Sequence, residues 1–481
     1  MIEILEGLYS SDYWFSKFLL QRGLALIYLI AFINALNQFI PLMGANGLLP
    51  VPQFLNRMSF KKKPSLFHWH YSDTFFKAVT GFGLFLSILA LSGISDRGPF
   101  WISMLVWFLL WAIYLSIVNV GVIFYGFGWE SMLLEAGFYA IFLGPLYWAA
   151  PVLVIWIIRW MLFRVEFGAG LIKMRGDQCW RDLTCLNYHH ETQPLPNPLS
   201  WYFHQLPESL HKVETFFNHL VQLVAVWGLF FPQPVASISA GLIILSQGYL
   251  IISGNYSWLN WLTIVLAFSG FSDGVIQSIF GLTAPSIASV PFYYGIIVAI
   301  LAIVVIYLSI GPVKNMLSSS QKMNFSFNPI HLVNTYGAFG SVTKKRYEII
   351  VEGTMDNILE EETEWKEYEF KGKPGNPGRR PSLVSPYHLR LDWQMWFAAM
   401  STTPHRHPWF QSLVAKLLQN DEQTLGLIKK NPFPNEPPKY IRARLFRYEY
   451  TAFKESRETG NWWKREYVRD YITPQSLQIN K

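Results

Sequence analysis

Nine mostly apolar stretches constrain this chain more than any other feature: 18–40, 75–94, 100–124, 132–150, 151–173, 216–232, 234–253, 257–272 and 290–311. Roughly 20 residues at 1.5 Å each cross the hydrocarbon of a bilayer, so charge-poor runs of this length read as transmembrane helices. Charge divides the chain at Pro312. Before it stand 14 Lys/Arg and 14 Asp/Glu, and after it 25 and 18, together the 39 and 32 of the whole chain. The net charge of +7 therefore belongs to the tail.

The tail also changes its period. Large or apolar residues alternate with charged ones over 346–352, 365–371, 387–393 and 440–450, the pattern of half-buried strands. Gly353, the Gly/Pro run 372–378 and the prolines of 432–438 supply turns, and 409–420 reads as a helix. The expected architecture is a polytopic α-helical membrane bundle of about eight to nine spans over 1–312, containing a polar loop at 174–215. An antiparallel, β-rich, sandwich-like soluble domain is expected over 313–481.

The span at 151–173 departs from pure apolarity. Arg159, Glu166 and Lys173 recur every seven residues, close to two helical turns, and so share one face. A charge in hydrocarbon costs at least about 2.5–3.5 kcal/mol, so this face is expected to look into the bundle. Arg164 lies off the stripe and is expected to pair with Glu135 or to reach the headgroups. Arg22, Asn34, Asn37 and Gln38 make the first span polar, and interhelical hydrogen bonds account for Asn34 and Gln38.

The loop that follows gathers Asp177, Arg181, Asp182, His189, His190 and Glu191 within fifteen residues. Such a set can move protons, because imidazoles titrate near neutral pH and buried carboxylates shift. It can equally be a hydrogen-bonded loop. No metal is expected, since His189, His190 and Glu191 are consecutive and neither HExxH nor any other paired-ligand spacing is read in the chain. No cofactor is expected either. Cys179 and Cys185 lack the short CxxC spacing and read first as unpaired thiols; a disulfide between them needs an oxidising compartment and a loop that folds back on itself. The basic tail has no arginine-rich or zinc-finger pattern, so anionic headgroups or an acidic partner fit it better than nucleic acid.

Four longer motifs carry a resemblance. They are Gly-Trp-Glu-Ser-Met-Leu-Leu-Glu-Ala-Gly-Phe (128–138), Trp-Arg-Asp-Leu-Thr-Cys-Leu-Asn-Tyr-His-His-Glu-Thr-Gln-Pro-Leu-Pro-Asn-Pro-Leu-Ser-Trp-Tyr (180–202), Asn-Thr-Tyr-Gly-Ala-Phe-Gly (334–340) and Tyr-His-Leu-Arg-Leu-Asp-Trp-Gln-Met-Trp-Phe (387–397). The chain resembles the lipase maturation factor family in these motifs and almost end to end, from 22–28 to 470–474. The family usually carries Ala where Cys185 stands and Tyr where His190 stands.

The resemblance implies an integral membrane protein that helps a secreted, lipase-like client to fold and assemble. It sits in the endoplasmic reticulum membrane if eukaryotic and in the inner membrane if bacterial. Membrane lipids and the immature client are the implied partners. Trp180, Arg181, Asp182, Asn187, Tyr188, His189, Glu191 and Gln193 of the loop are expected to meet the client. So are Tyr387, Arg390, Asp392, Trp393 and Trp396, on the surface of the C-terminal domain. The alternative is an intramembrane enzyme with a bundle like that of the vitamin K-dependent carboxylases. In it Lys173, Asp177, Asp182 and His189 would be the catalytic candidates, beside the buried polar set Arg22, Glu135, Arg159, Arg164 and Glu166.

Overall fold

The computed structural model describes residues 9–288, 290–401 and 403–477. Its front part is helical: α1 (Trp14–Met43), α2 (Asp73–Ser92), α3 (Phe100–Val120), α4 (Gly128–Ala140), α5 (Val152–Arg175), α6 (Leu186–Thr192), α7 (Glu208–His219), α8 (Val235–Ser253), α9 (Leu259–Ala267), α10 (Asp273–Phe280) and α11 (Phe292–Leu317). Local chemistry sets their ends. The Ser72 hydroxyl accepts from the Phe75 amide to start α2, and Gly93, at φ 78°, ends it in the left-handed conformation that glycine tolerates. Gly137 brings α4 against α1, where a Cβ would collide with the Tyr28 hydroxyl.

Among the described residues six helices are long and apolar enough to cross a membrane: α1, α2, α3, the run Glu208–Phe230, α8 and α11. A seventh is counted if Leu259–Gly270 and Asp273–Phe280, bent by 101°, form one broken span. That is fewer than the eight to nine expected. The 132–150 stretch is no span, because α4 has only 13 residues, about 20 Å. It is apolar because other helices surround it: Leu133, Leu134, Ala136 and Tyr139 are fully buried. At 24 residues α5 is long enough, but its charges set it apart from the six. By contrast α11 leaves Ile303, Ile306 and Tyr307 largely exposed, an uncovered apolar face.

The C-terminal region holds an antiparallel four-stranded sheet in the order β2-β1-β5-β6, with β1 (Arg346–Thr354), β2 (Lys366–Glu367), β5 (Tyr440–Tyr450) and β6 (Trp463–Gln475). β1 and β5 pair over nine positions, from Arg346 opposite Tyr448 to Thr354 opposite Tyr440. A second, two-stranded pair joins β3 (Glu369–Phe370) and β4 (Ile428–Lys430). Among the described residues the expected sandwich is not formed. Instead of a second large sheet, α12 (Arg390–Ala399) packs on β1 and α13 (Pro408–Leu418) on β5.

Residues 387–393 are the main correction, because they begin a helix, not a strand. Their apolar-polar alternation reflects burial of Arg390 and Asp392 as well as of Leu391 and Trp393. A period of two assumes that the charged positions are wet, and here they are not.

Candidate functional site

A side chain every seven residues stays on one side of a helix, and the structure turns that side of α5 inward. Arg159, Glu166 and Lys173 are 2%, 1% and 6% exposed. Arg159 donates from Nε to the Ser269 carbonyl at 2.8 Å and from Nη1 to that of Leu229 at 3.3 Å. Glu166 accepts from Gln222 Nε2 at 3.1 Å and Gln247 Nε2 at 2.6 Å. Lys173 Nζ donates to Asn218 Oδ1 at 2.7 Å and Gln222 Oε1 at 3.0 Å. Gln222 therefore links the cation to the carboxylate, and Asn260 extends the seam by donating to Gln247 Oε1 at 2.8 Å.

These amides were missed by sequence reasoning. The available signal was an amide inside an apolar run, which in a membrane helix calls for a partner. The other buried charges are also matched. Arg164 is ion-paired to Glu135, which accepts further from the Tyr336 hydroxyl at 2.7 Å and from the Asn334 amide at 2.9 Å. Arg22 meets Asp96 at 2.5 Å.

The seam forms one wall of a cavity of about 650 Å³. Trp180 and His189 of the polar segment, Trp129 of α4, Tyr256, Tyr336 and Phe339 supply further walls, and Trp393, Trp396 and Phe397 of α12 close it from the C-terminal side. This volume lies in the range of small-molecule and peptide-side-chain sites. Mostly apolar walls with one ammonium, from Lys173, and two carboxylates, from Glu166 and Glu214, suit an amphipathic occupant.

Of the catalytic candidates, Lys173 and His189 line the cavity, and Asp177 and Asp182 do not. Asp177 accepts from the Val342 amide at 2.7 Å. Asp182 is exposed and accepts from Gln178 Nε2 at 2.9 Å. The four are not brought together. His189 Nε2 lies 3.0 Å from the Tyr256 hydroxyl. Burial, and secondarily the charge of Lys173, push its pKa down to about 3, so its ring is neutral at neutral pH.

The polar segment is a packed series of helical turns, not a free loop. Trp180 Nε1 donates to the Phe339 carbonyl at 2.8 Å, and Lys173 Nζ sits 4.9 Å from its ring centroid. Cys179 and Cys185 are joined by a disulfide, which corrects the expectation of unpaired thiols. The chain turns back on itself between them, so six positions of sequence shrink to a Cα separation of 4.8 Å. Arg181 is exposed and holds the Met174 carbonyl at 2.6 Å. Asn187 and Tyr188 are half-buried.

Two expected client contacts are internal fasteners instead. Gln193 Nε2 donates to the Ser253 carbonyl at 2.9 Å, and its Oε1 accepts from Tyr256 at 2.6 Å. Glu191 accepts from the Tyr450 amide at 2.7 Å, and burial raises its pKa to about 7. Arg346, unmarked in the sequence, clamps the same stretch. It donates to the carbonyls of Glu191, Gln193 and Pro194 at 3.0, 2.5 and 3.0 Å and to Glu348 at 2.5 Å.

The expected C-terminal surface patch is largely an inner joint. Arg390, Asp392 and Trp393 are buried. Arg390 donates to Asn34 Oδ1 at 2.8 Å, the Phe124 carbonyl at 2.6 Å and Glu130 Oε1 at 2.8 Å, and lies 3.5 Å from the Tyr125 ring centroid. Asn34 and Gln38 each donate to the His388 carbonyl at 2.7 Å, so their partner is the C-terminal region and not another span. Asp392 caps the 372–373 turn, accepting from Gly372 N at 2.6 Å and Lys373 N at 3.0 Å. Trp393 packs on Trp129 at 5.0 Å. Tyr387 and Trp396 are only half-buried, and Trp396 Nε1 donates to the Thr192 carbonyl at 3.2 Å.

Comparison with known proteins follows the same two-part division. Residues 15–278 match the lipase maturation factor transmembrane domain, and residues 332–473 match the lipase maturation factor C-terminal domain. The chain is 41% identical to lipase maturation factor 1 of Mus musculus, over 98% of this chain and 89% of the relative. The Homo sapiens protein of that name is 40% identical over the same shares. Lipase maturation factor 2 of Xenopus laevis is 31% identical over 94% of this chain and 81% of its own length. No solved structure matches. The motifs that line the cavity and its joint, 128–138, 180–202, 334–340 and 387–397, thus lie inside matched segments, and the chain is an integral membrane member of the lipase maturation factor family.

Proposed function

We propose that this protein is a membrane-embedded maturation factor that assists folding or assembly of a secreted, lipase-like enzyme, and that the cavity receives an exposed apolar segment of that client. One observation carries this: the cavity is walled jointly by the helices, by the polar segment 174–215 and by α12 of the C-terminal region, so an occupant would touch all three at once. The relatives' names point to a lipase as client. The Cys179–Cys185 disulfide fits an oxidising compartment: the endoplasmic reticulum in a eukaryote, or the inner membrane with this face to the periplasm in a bacterium. Division near Pro312 into a span-bearing domain (1–312) and a sheet-bearing domain (313–481) agrees with this picture. Lipid would contact the exposed face of α11.

Filling the cavity tests the proposal. Ala169→Phe adds a ring at a small lining residue, and Trp396→Ala removes one wall. In cells co-expressing a secreted dimeric lipase, each variant should lower active lipase at least tenfold while its own membrane level stays that of the parent. Lipase activity at the parental level in both variants would remove the cavity from the function.

An enzyme site in the same cavity is the alternative, favoured by Lys173, whose ammonium borders it. Lys173→Gln separates the two. A catalytic lysine requires that client crosslinking persist while mature product disappears. A docking role expects both to change together, and mature product at parental levels excludes the enzyme.

A further inference from the structure

The polar segment holds a cluster that neither the seam nor the joint uses. His190 comes from α6, and His211 and Glu214 come from α7, where a spacing of three places both on one helix face. One ligand atom from each lies within 4.8 Å of the others. His211 Nδ1 is 3.1 Å from Glu214 Oε2, and the His190 and His211 ring centroids are 5.6 Å apart. Both imidazoles are buried, yet His190 Nδ1 and His211 Nε2 have no hydrogen-bond partner. A buried polar atom without a partner ordinarily costs about 1–3 kcal/mol. Two such nitrogens on adjacent rings beside a carboxylate call for an explanation that the protein atoms do not supply.

We propose that His190, His211 and Glu214 bind a divalent cation of the zinc class. Two imidazoles and one carboxylate are a set such ions accept, with a fourth position left open. Ligand nitrogens bind zinc at about 2.0–2.1 Å, so inward movement of about 1 Å or less by each group closes the set around one ion. Glu214 also lines the cavity. The ion would thus lie beside the space assigned to the client, with Glu214 between them, and coordination ties α6, which carries His189 and Glu191, to α7. The ion would set the shape of the cavity's polar wall. This is independent of the identity of the client.

The test uses the full-length protein purified in detergent, stripped with a chelator and titrated with ZnCl₂ or CoCl₂. The expected result is one zinc per chain by elemental analysis and calorimetry, with cobalt giving the intense visible absorption of a four-coordinate site. Glu214→Gln, which preserves shape, should weaken zinc binding at least tenfold, and His190→Ala and His211→Ala should weaken it at least as much. His70→Ala, at an exposed histidine far along the chain, should leave it unchanged. If His190→Ala or His211→Ala does not fold, Glu214→Gln decides. Absence of saturable binding, or equal affinity in the parent and Glu214→Gln, overturns the site.

Discussion

Replacing Arg390 by leucine should loosen the C-terminal region from the helices and lower stability by about 3–5 kcal/mol, the usual cost of stranding a buried charge. Glu130 would lose the guanidinium at 2.8 Å and keep the Tyr114 hydroxyl and, at 3.8 Å, the His388 ring, while Asn34 Oδ1 and the Phe124 carbonyl would each lose a donor. All of these groups are buried away from bulk solvent. Arg390→Lys should recover little, because one ammonium cannot reproduce a planar fork that donates in three directions and lies against Tyr125. The double variant Glu130→Leu/Arg390→Leu should regain part of the loss, since it removes both charges. Thermal unfolding in detergent and protease sensitivity of the 318–345 connection measure the effect. Parental melting and cleavage in Arg390→Leu would show that the joint is held elsewhere.

Arg346→Leu should have the second largest effect, again about 3–5 kcal/mol, and act on the polar segment at 191–194. The carbonyls of Glu191, Gln193 and Pro194 would lose their common donor, and Glu348 would retain only Lys373, at 2.9 Å. The stretch 191–194 would then be free to leave the sheet. Because Gln193 holds Tyr256 and Tyr256 meets His189, the disturbance should propagate to the cavity wall. Amide hydrogen exchange supplies the readout: protection should fall at 189–195 and along β1, and remain in α2 and α3, which lie outside this network. Unchanged protection at 189–195 would mean that Arg346 does not hold the segment.

Both effects arise from residues whose importance is not written locally. Arg346 begins an alternating strand, like many surface arginines, and Arg390 sits in a run that reads as another strand. What distinguishes them is a set of partners 150 or more positions away. The spacing of His211 and Glu214 is different, because it is a recognisable paired-ligand interval that was legible in the sequence. The expectation of no paired-ligand spacing, which rested on the consecutive His189, His190 and Glu191, does not hold for this pair. Only His190 of those three joins the cluster, because neighbouring positions on a short helix point in different directions.

The sequence by itself determined the helical, membrane-embedded front, the sheet-bearing tail and the inward turn of Arg159, Glu166 and Lys173. These follow from periods of 3.6 and 2 residues and from the cost of charge in hydrocarbon, which act over a few turns of chain. Tertiary structure alone decided that α4 is a buried helix and not a span, that a helix and not a strand begins at Arg390, and that Asn34 and Gln38 hold the C-terminal region. It also decided which amides complete the seam. A hydrogen bond between residues 350 positions apart depends on where two surfaces come to rest, and no local period encodes that.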